Sequence, residues 1–99
     1  MKKLLAPIPP GEILLEEFLK PMSISQNQLA RDLDVTVSRI ASIIAGERAI
    51  TADTALRLGS YFGMTAEFWV NLQANYDLQL ARQTVWPAIK DRVRPKRAA

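Results

Sequence analysis

The sequence predicts an all-α domain of five short helices followed by an extended basic tail. Three observations lead to this prediction. No segment alternates apolar and polar residues as a strand does. Serine or threonine precedes most of the apolar periodic segments, as helix N-caps do, and proline and glycine lie between them. With 99 residues, 48% of them hydrophobic and 23% charged, the chain is typical of one small globular domain.

The first helix follows a proline-rich lead-in, residues 1–10. It is predicted from Gly11 to Leu19 and is expected to end before Pro21, because the residue that precedes a proline avoids the helical region. At ~100° per residue, the apolar side chains share one side of this helix: Leu14, Leu15, Phe18 and Leu19. The acidic side chains lie on the other side: Glu12, Glu16 and Glu17.

A second helix begins after Ser25, which forms a capping box with Gln28. The pattern ends at Leu33, and the following Asp34 tolerates a left-handed backbone. The side chains predicted to point inward are Leu29, Ala30 and Leu33.

Thr36 caps a third helix, and Gly46 fits the position just beyond its end. The inner face of this helix is predicted from its apolar residues: Val37, Ile40 and Ile44, with Ala41 and Ile43 beside them. The outer face is predicted from its polar residues: Ser38, Arg39 and Ser42.

Thr51 caps a fourth helix, which Gly63 ends, and Thr65 caps a fifth that continues to about Gln83. The inward residues of the fourth helix are Ala55, Leu58, Gly59 and Phe62. These helices define a domain at residues 11–83 and a tail at 84–99.

The fifth helix carries two apolar stripes, although a helix packed on its own core needs only one. The first stripe contains Phe68, Trp69, Leu72, Tyr76 and Leu80, and the second contains Val70, Ala74, Leu78 and Ala81. We expect the second stripe to form a homodimer contact centred on Val70, Ala74 and Leu78. The alternative is that the tail folds back and covers it.

The basic character of the chain belongs to its tail. The formal net charge is +3 and the sequence pI about 9.6. Residues 1–83 contain eight Lys and Arg against nine Asp and Glu, whereas residues 84–99 contain five against one. Any DNA contact of the domain must therefore come from a few specifically positioned residues and not from a strong positive field. The tail either wraps an anionic surface, DNA or lipid, or is solvated and disordered.

Cysteine and histidine are absent from the chain. This excludes a cysteine nucleophile, a Ser-His-Asp arrangement and nearly every zinc site. We therefore expect no metal or cofactor. An enzyme would have to work with carboxylates alone, and because no motif places an Asp/Glu pair in a recognisable cleft, we expect no catalytic residue. No apolar run approaches the ~20 residues of a membrane span, and we expect a cytoplasmic protein.

The second and third helices have the spacing of a helix-turn-helix. Ala30 is small enough for two helices to cross closely, and Val35 and Ile40 would anchor the second helix of the pair on the core. The outer face of that helix would then reach base edges in the major groove. Helix N-termini and the loop after this helix would bind phosphate oxygens. The predicted DNA-binding residues are Gln26, Thr36, Ser38, Arg39, Ser42, Arg48 and Thr51.

These residues resemble the Cro/repressor-type helix-turn-helix, and a wider pattern over residues 8–83 resembles the HigA family of bacterial antitoxins. The resemblance is carried by Pro10-Gly11-Glu12-Ile13-Leu14, Ser38-Arg39-Ile40, Ala45-Gly46, Thr65-Ala66-Glu67-Phe68-Trp69-Val70-Asn71-Leu72-Gln73 and Asn75-Tyr76-Asp77-Leu78. Asp34 departs from it, because such motifs usually have glycine there.

The resemblance implies a lambda-repressor-like fold and an antitoxin of a type II toxin–antitoxin system. Such proteins neutralise a RelE-like (HigB-type) toxin, an mRNA endonuclease, and repress their own operon as dimers on a palindromic double-stranded operator. Glu12, Glu16 and Glu17 could face the basic toxin, or could form a solvated helix face. Two rival functions stay open: a stand-alone repressor without a toxin, and a protein-binding module that does not read DNA.

Overall fold

The computed structural model describes residues 6–97, and within this range the chain is helical without any strand. A first helical segment, α1, covers residues 10–22. It is followed by α2 (Gln26–Leu33), α3 (Val37–Ile44), α4 (Ala52–Phe62), α5 (Ala66–Thr84) and α6 (Trp86–Ile89), with a 3₁₀ turn at Lys90–Arg92. The all-α prediction is confirmed. Residues 1–5 of the predicted lead-in and residues 98–99 of the predicted tail lie outside the described residues.

The prediction that Pro21 ends the first helix is wrong. An α-helical turn at Pro10–Ile13 leads into a π-helical segment at Leu14–Leu19, and a further turn at Lys20–Met22 contains the proline. Pro21 needs no acceptor because it has no N–H, and the N–H of Lys20 bonds five residues back to Leu15. The helix ends instead at Ser23, whose backbone is left-handed (φ 55°).

The π-helical segment also explains how two leucines five residues apart are both buried. Leu14 and Leu19 are 0% and 1% exposed. In a straight α-helix they would lie ~140° apart around the axis, at ~100° per residue. The wider i→i+5 turn brings them closer to one face, so that both reach the core.

The four predicted N-caps are confirmed, because each hydroxyl accepts a backbone N–H from the first turn of its helix. Ser25 accepts from Gln28 (3.0 Å) and Thr36 from Arg39 (3.1 Å). Thr51 and Thr65 each accept at 3.4 Å, from the third residue beyond them. The left-handed turns after the helices also follow the prediction, with Asp34 at φ 59° and Gly46 at φ 79°.

Aromatic side chains of the core pack around Trp69, which is fully buried. The rings of Phe18 and Phe68 lie 4.9 Å and 5.0 Å from its ring, centroid to centroid, in tilted and edge-on arrangements that aromatic pairs prefer. Phe62 follows at 6.1 Å. This cluster joins α1, α4 and α5, so that the first half of α5 is part of the domain core.

The helix α3 faces the core differently from the prediction. Ile40 and Ile43 are 0% and 1% exposed, as core residues are, but Val37 is 45% exposed. Val37 is therefore not an inward residue, and Ile44 is only half-buried. At this end of the helix α1 approaches closely: a Cβ atom on Gly11 would lie 1.9 Å from the carbonyl oxygen of Ile43. The approach is possible because Gly11 has no side chain.

The tail is not extended along its whole length. The segment Trp86–Ile89 is helical with Pro87 in its first turn, where a proline is tolerated. It packs beside the end of α5, so that Ala81 is half-buried. Trp86 remains 41% exposed. The tail therefore covers one residue of the second stripe of α5 and leaves Val70, Ala74 and Leu78 exposed.

We expect Ile40→Ala to lower the free energy of unfolding by about 2–5 kcal/mol, the usual cost of a large-to-small change in a core. The matched variant Val37→Ala, on the same helix, should change it by less than about 0.5 kcal/mol because Val37 is exposed. Urea denaturation followed by circular dichroism measures both. Equal losses in the two variants would contradict the orientation of α3.

Candidate nucleic-acid interface

A three-residue connection, 34–36, joins α2 to α3 and forms the turn of a helix-turn-helix. Asp34 adopts the left-handed conformation that ends α2, and the N–H of Val35 donates to the carbonyl of Ala30 at 3.0 Å. Thr36 then starts α3. The local sequence thus determines where α2 ends and where α3 begins. The N-terminal end of α3 lies at the surface.

The loop after α3 and the start of α4 extend this surface. Arg39, Arg48 and Thr51 line one surface hollow, together with Ala49, Asp53 and Thr54. The structure therefore brings together three of the residues predicted to bind DNA, one from α3 and two from the loop before α4.

The remaining predicted residues lie outside that hollow. Ser38 and Thr36 are exposed, and the hydroxyl oxygen of Thr36 is occupied as the N-cap of α3. Gln26 is the first residue of α2 and is half-buried, as is Ser42. Ser42 is therefore less outward than its place in the pattern predicted.

Arg39 does not project freely. Its side chain is 33% exposed, and its Nη1 donates to Oδ1 of Asp53 at 3.1 Å. The same oxygen accepts from Nε of Arg57 at 2.8 Å. These hydrogen bonds, that of Arg57 first, hold the pKa of the Asp53 carboxyl below its usual value.

Arg57 ties this pair to the turn of the helix-turn-helix. Its Nη1 donates to the carbonyl of Leu33 at 2.7 Å and to that of Asp34 at 3.2 Å. The site residues predicted from the sequence did not include Asp53 and Arg57. Their spacing, an acid four residues before an arginine on one helix, is a signal of pairing, but nothing local shows that the pair reaches Arg39.

The sequence prediction also assigned two apolar side chains of α3 to its inner face that the structure places at the surface. Val37 and Ala41 are exposed on the helix that carries Ser38. Apolar side chains in the major groove contact the thymine methyl group. An exposed valine beside a hydroxyl and an arginine is therefore suited to a groove that contains both methyl groups and hydrogen-bonding edges.

The two other predicted sites are on different surfaces. Glu12, Glu16 and Glu17 are exposed along α1, and Glu16 pairs with Lys20 at 2.7 Å. Val70 and Leu78 are 41% and 51% exposed on α5. Leu80, a member of the first apolar stripe, is 37% exposed.

The described residues contain no group of three or more His, Cys, Asp or Glu placed to hold a metal ion. Within the same range, no helix has both the length and the apolar character that crossing a membrane requires.

The helix-turn-helix family matches residues 15–69. The chain is 57% identical over 76 residues to virulence-associated protein I of Dichelobacter nodosus, a match that covers 77% of this chain and 70% of that protein. It is 39% identical over 72 residues to antitoxin HigA-1 of Vibrio cholerae, which covers 73% and 68%. An uncharacterized HTH-type transcriptional regulator of Escherichia coli, YbaQ, is 42% identical over 72 residues, which cover 73% of this chain and 64% of that regulator.

Solved structures share the fold over nearly the whole chain. The antitoxin HigA of Pseudomonas aeruginosa, solved with the higBA promoter, superimposes with a TM-score of 0.86 at 44% identity and covers 90% of this chain and 97% of that one. The antitoxin GraA in complex with its operator superimposes with a TM-score of 0.89 at 41% identity and covers 99% of each chain.

We expect Arg39→Ala to weaken binding to duplex DNA from the chain's own upstream region by roughly 1–3 kcal/mol, the value of one bidentate base contact. The melting temperature should stay nearly unchanged, because exposed ion pairs contribute little to stability. Gel-shift titration and thermal melting measure the two effects. The control Lys20→Ala removes the same charge from α1 and should leave DNA affinity close to that of the wild type. Wild-type affinity of Arg39→Ala would show that another face reads DNA.

Proposed function

Since the chain belongs to the HigA family of helix-turn-helix antitoxins, we propose that it is a DNA-binding antitoxin that represses its own operon and neutralises a RelE-like toxin. One observation carries the DNA-binding part of this proposal. The exposed end of α3 lies beside a hollow lined by Arg39, Arg48 and Thr51, in a fold shared along its length with an antitoxin solved on its operator.

The charge distribution supports specific rather than general DNA binding. The domain at 11–83 belongs to the part of the chain in which acidic residues slightly outnumber basic ones. Non-specific affinity depends on many Lys and Arg at phosphates, whereas the hollow beside α3 is lined by two arginines, Arg39 and Arg48, and one acid, Asp53. Base contacts from α3 and phosphate contacts from Arg48 and Thr51 would supply the operator affinity. The exposed basic segment at 90–97 would add to it only if it reaches the duplex.

Repression of a palindromic operator calls for two copies of the domain. The exposed residues Val70, Ala74 and Leu78 support a symmetric contact along α5. They continue into a groove with a largely apolar lining: Leu78, Ala81, Arg82, Val85, Trp86 and Ile89. A large exposed apolar surface of this kind is typical of an interface, and a second copy of the same surface would cover it.

Two observations support neutralisation of a toxin: the family to which the chain belongs, and a row of acidic side chains on α1. Glu12, Glu16 and Glu17 are exposed along one helix, and none of the three lines the hollow beside α3. A basic toxin could bind there while α3 stays free. The pairing of Glu16 with Lys20 reduces the net charge of the row to about two negative charges, so that apolar contacts would have to supply most of the affinity.

A second candidate function is a stand-alone repressor without a toxin partner. The similarity to YbaQ, named as a transcriptional regulator, favours it. The two functions share every residue of the helix-turn-helix and differ only in the toxin.

Two measurements test the proposal together. A footprint of the purified chain on its own upstream region tests DNA binding, and co-purification with the tagged product of a neighbouring small basic reading frame tests toxin binding. We expect a protected palindrome and a stable complex. Protection without a complex would favour the stand-alone repressor. A complex without protection would favour a protein-binding module.

We expect Ala74→Glu to dissociate the homodimer, because a two-fold contact repeats the change and puts two carboxylates into one apolar seam. The variant should stay helical by circular dichroism and bind the operator weakly, since half-sites lie about one helical turn, ~34 Å, apart. Sedimentation at tens of micromolar measures the oligomeric state. Gln79→Glu adds the same charge elsewhere on α5 and serves as the control. A dimer that survives Ala74→Glu would place the interface in the N-terminal segment or the tail.

A further inference from the structure

A carboxylate lies in the middle of the surface that we propose for DNA binding. The Asp53 side chain is 59% exposed and lines the same hollow as Arg39, Arg48 and Thr51. A negative charge beside DNA phosphates weakens binding of any sequence. Asp53 thus opposes the function of its neighbours unless it contributes something that depends on sequence.

The contacts of Asp53 form a chain from the turn to Arg39. Arg57 donates to the carbonyls of Leu33 and Asp34, at 2.7 Å and 3.2 Å, and to Oδ1 of Asp53 at 2.8 Å. These three acceptors fix the Arg57 guanidinium. Asp53 in turn receives Nη1 of Arg39 at 3.1 Å. The position of the Arg39 guanidinium is therefore set by the backbone of the helix-turn-helix through two intermediate side chains.

The remaining donors of Arg39 stay available. A guanidinium has five N–H donors in a fixed plane, and the bond to Asp53 uses one nitrogen, Nη1. Two parallel N–H groups are enough for the O6 and N7 atoms of guanine. Arg39 can therefore keep its bond to Asp53 while it binds a base, with fewer rotamers to lose on binding.

We propose that Asp53 is a specificity-determining positioning residue, which orients Arg39 for base readout through Arg57 and the turn and disfavours non-specific DNA by its charge. This inference rests on the proposed function. It differs from the ordinary explanation, in which an acid in the first turn of α4 only interacts with the helix dipole.

The test compares Asp53→Asn with the wild type on two duplexes, the footprinted operator and a scrambled duplex of the same length. We expect operator affinity to fall about tenfold, within the range of one base contact, while affinity for the scrambled duplex stays equal or rises. Glu47→Gln neutralises a carboxylate of the neighbouring loop and is the charge control. It should shift both affinities equally and leave their ratio unchanged.

A double-mutant cycle separates positioning from a general structural effect. In the Arg39→Ala background, Asp53→Asn should cause no further loss of operator affinity. If Asp53→Asn still lowers operator affinity in the Arg39→Ala background, Asp53 only supports the fold. If Asp53→Asn alone raises affinity for both duplexes by the same factor, its charge only weakens binding. Either result would overturn the proposal. If the wild type itself does not prefer the operator, the proposed function fails first, and the two failures are thus distinguishable.

Discussion

The packing of α1 against α3 depends on one close contact, that of Gly11 with the backbone of Ile43. A Cβ at Gly11 would collide with this carbonyl, so that only glycine lets the two helices approach so closely. In this packing Ile40 and Ile43 are buried and Val37 lies at the surface. The helix that carries the candidate DNA-contacting residues is therefore packed on the first helix through a contact that only glycine allows.

Local chemistry made much of the fold predictable. The caps at Ser25 and Thr36 and the left-handed Asp34 follow from side chains that bond to a backbone a few residues away. The rotation of α3 was not predictable, because Ile43 and Ile44 are both apolar and either could define the inner stripe. The structure buries Ile43 and leaves Ile44 half-buried, and the pattern of one helix does not show which of the two its neighbours cover. Pro21 was misjudged for a related reason: the rule for prolines describes an α-helix, and the segment before it is π-helical.

The candidate site shows the same division between local and distant determinants. The sequence pattern identified Arg39, Arg48 and Thr51, which the structure brings to one hollow. It did not identify Asp53 as a partner of Arg39, because 14 residues and a loop separate them. An arginine that looks like a free outward side chain in the helical pattern is in fact half-buried and bonded. Periodicity predicts which face a residue occupies, whereas the direction of a long side chain depends on which partners the tertiary structure places within reach.

The helix α5 connects the candidate DNA-binding surface to the proposed dimer contact. Its Gln73 accepts the N–H of Ile50 at 2.8 Å, in the loop between α3 and α4, so that a residue of the segment resembling the family fixes the edge of the hollow. Three residues before Gln73, Val70 points to the exposed side of the same helix. A rigid helix with one contact to the loop and another at a two-fold axis would fix the separation of two copies of α3. Since operator half-sites have a fixed spacing on the duplex, dimer geometry and sequence recognition would then depend on the same helix.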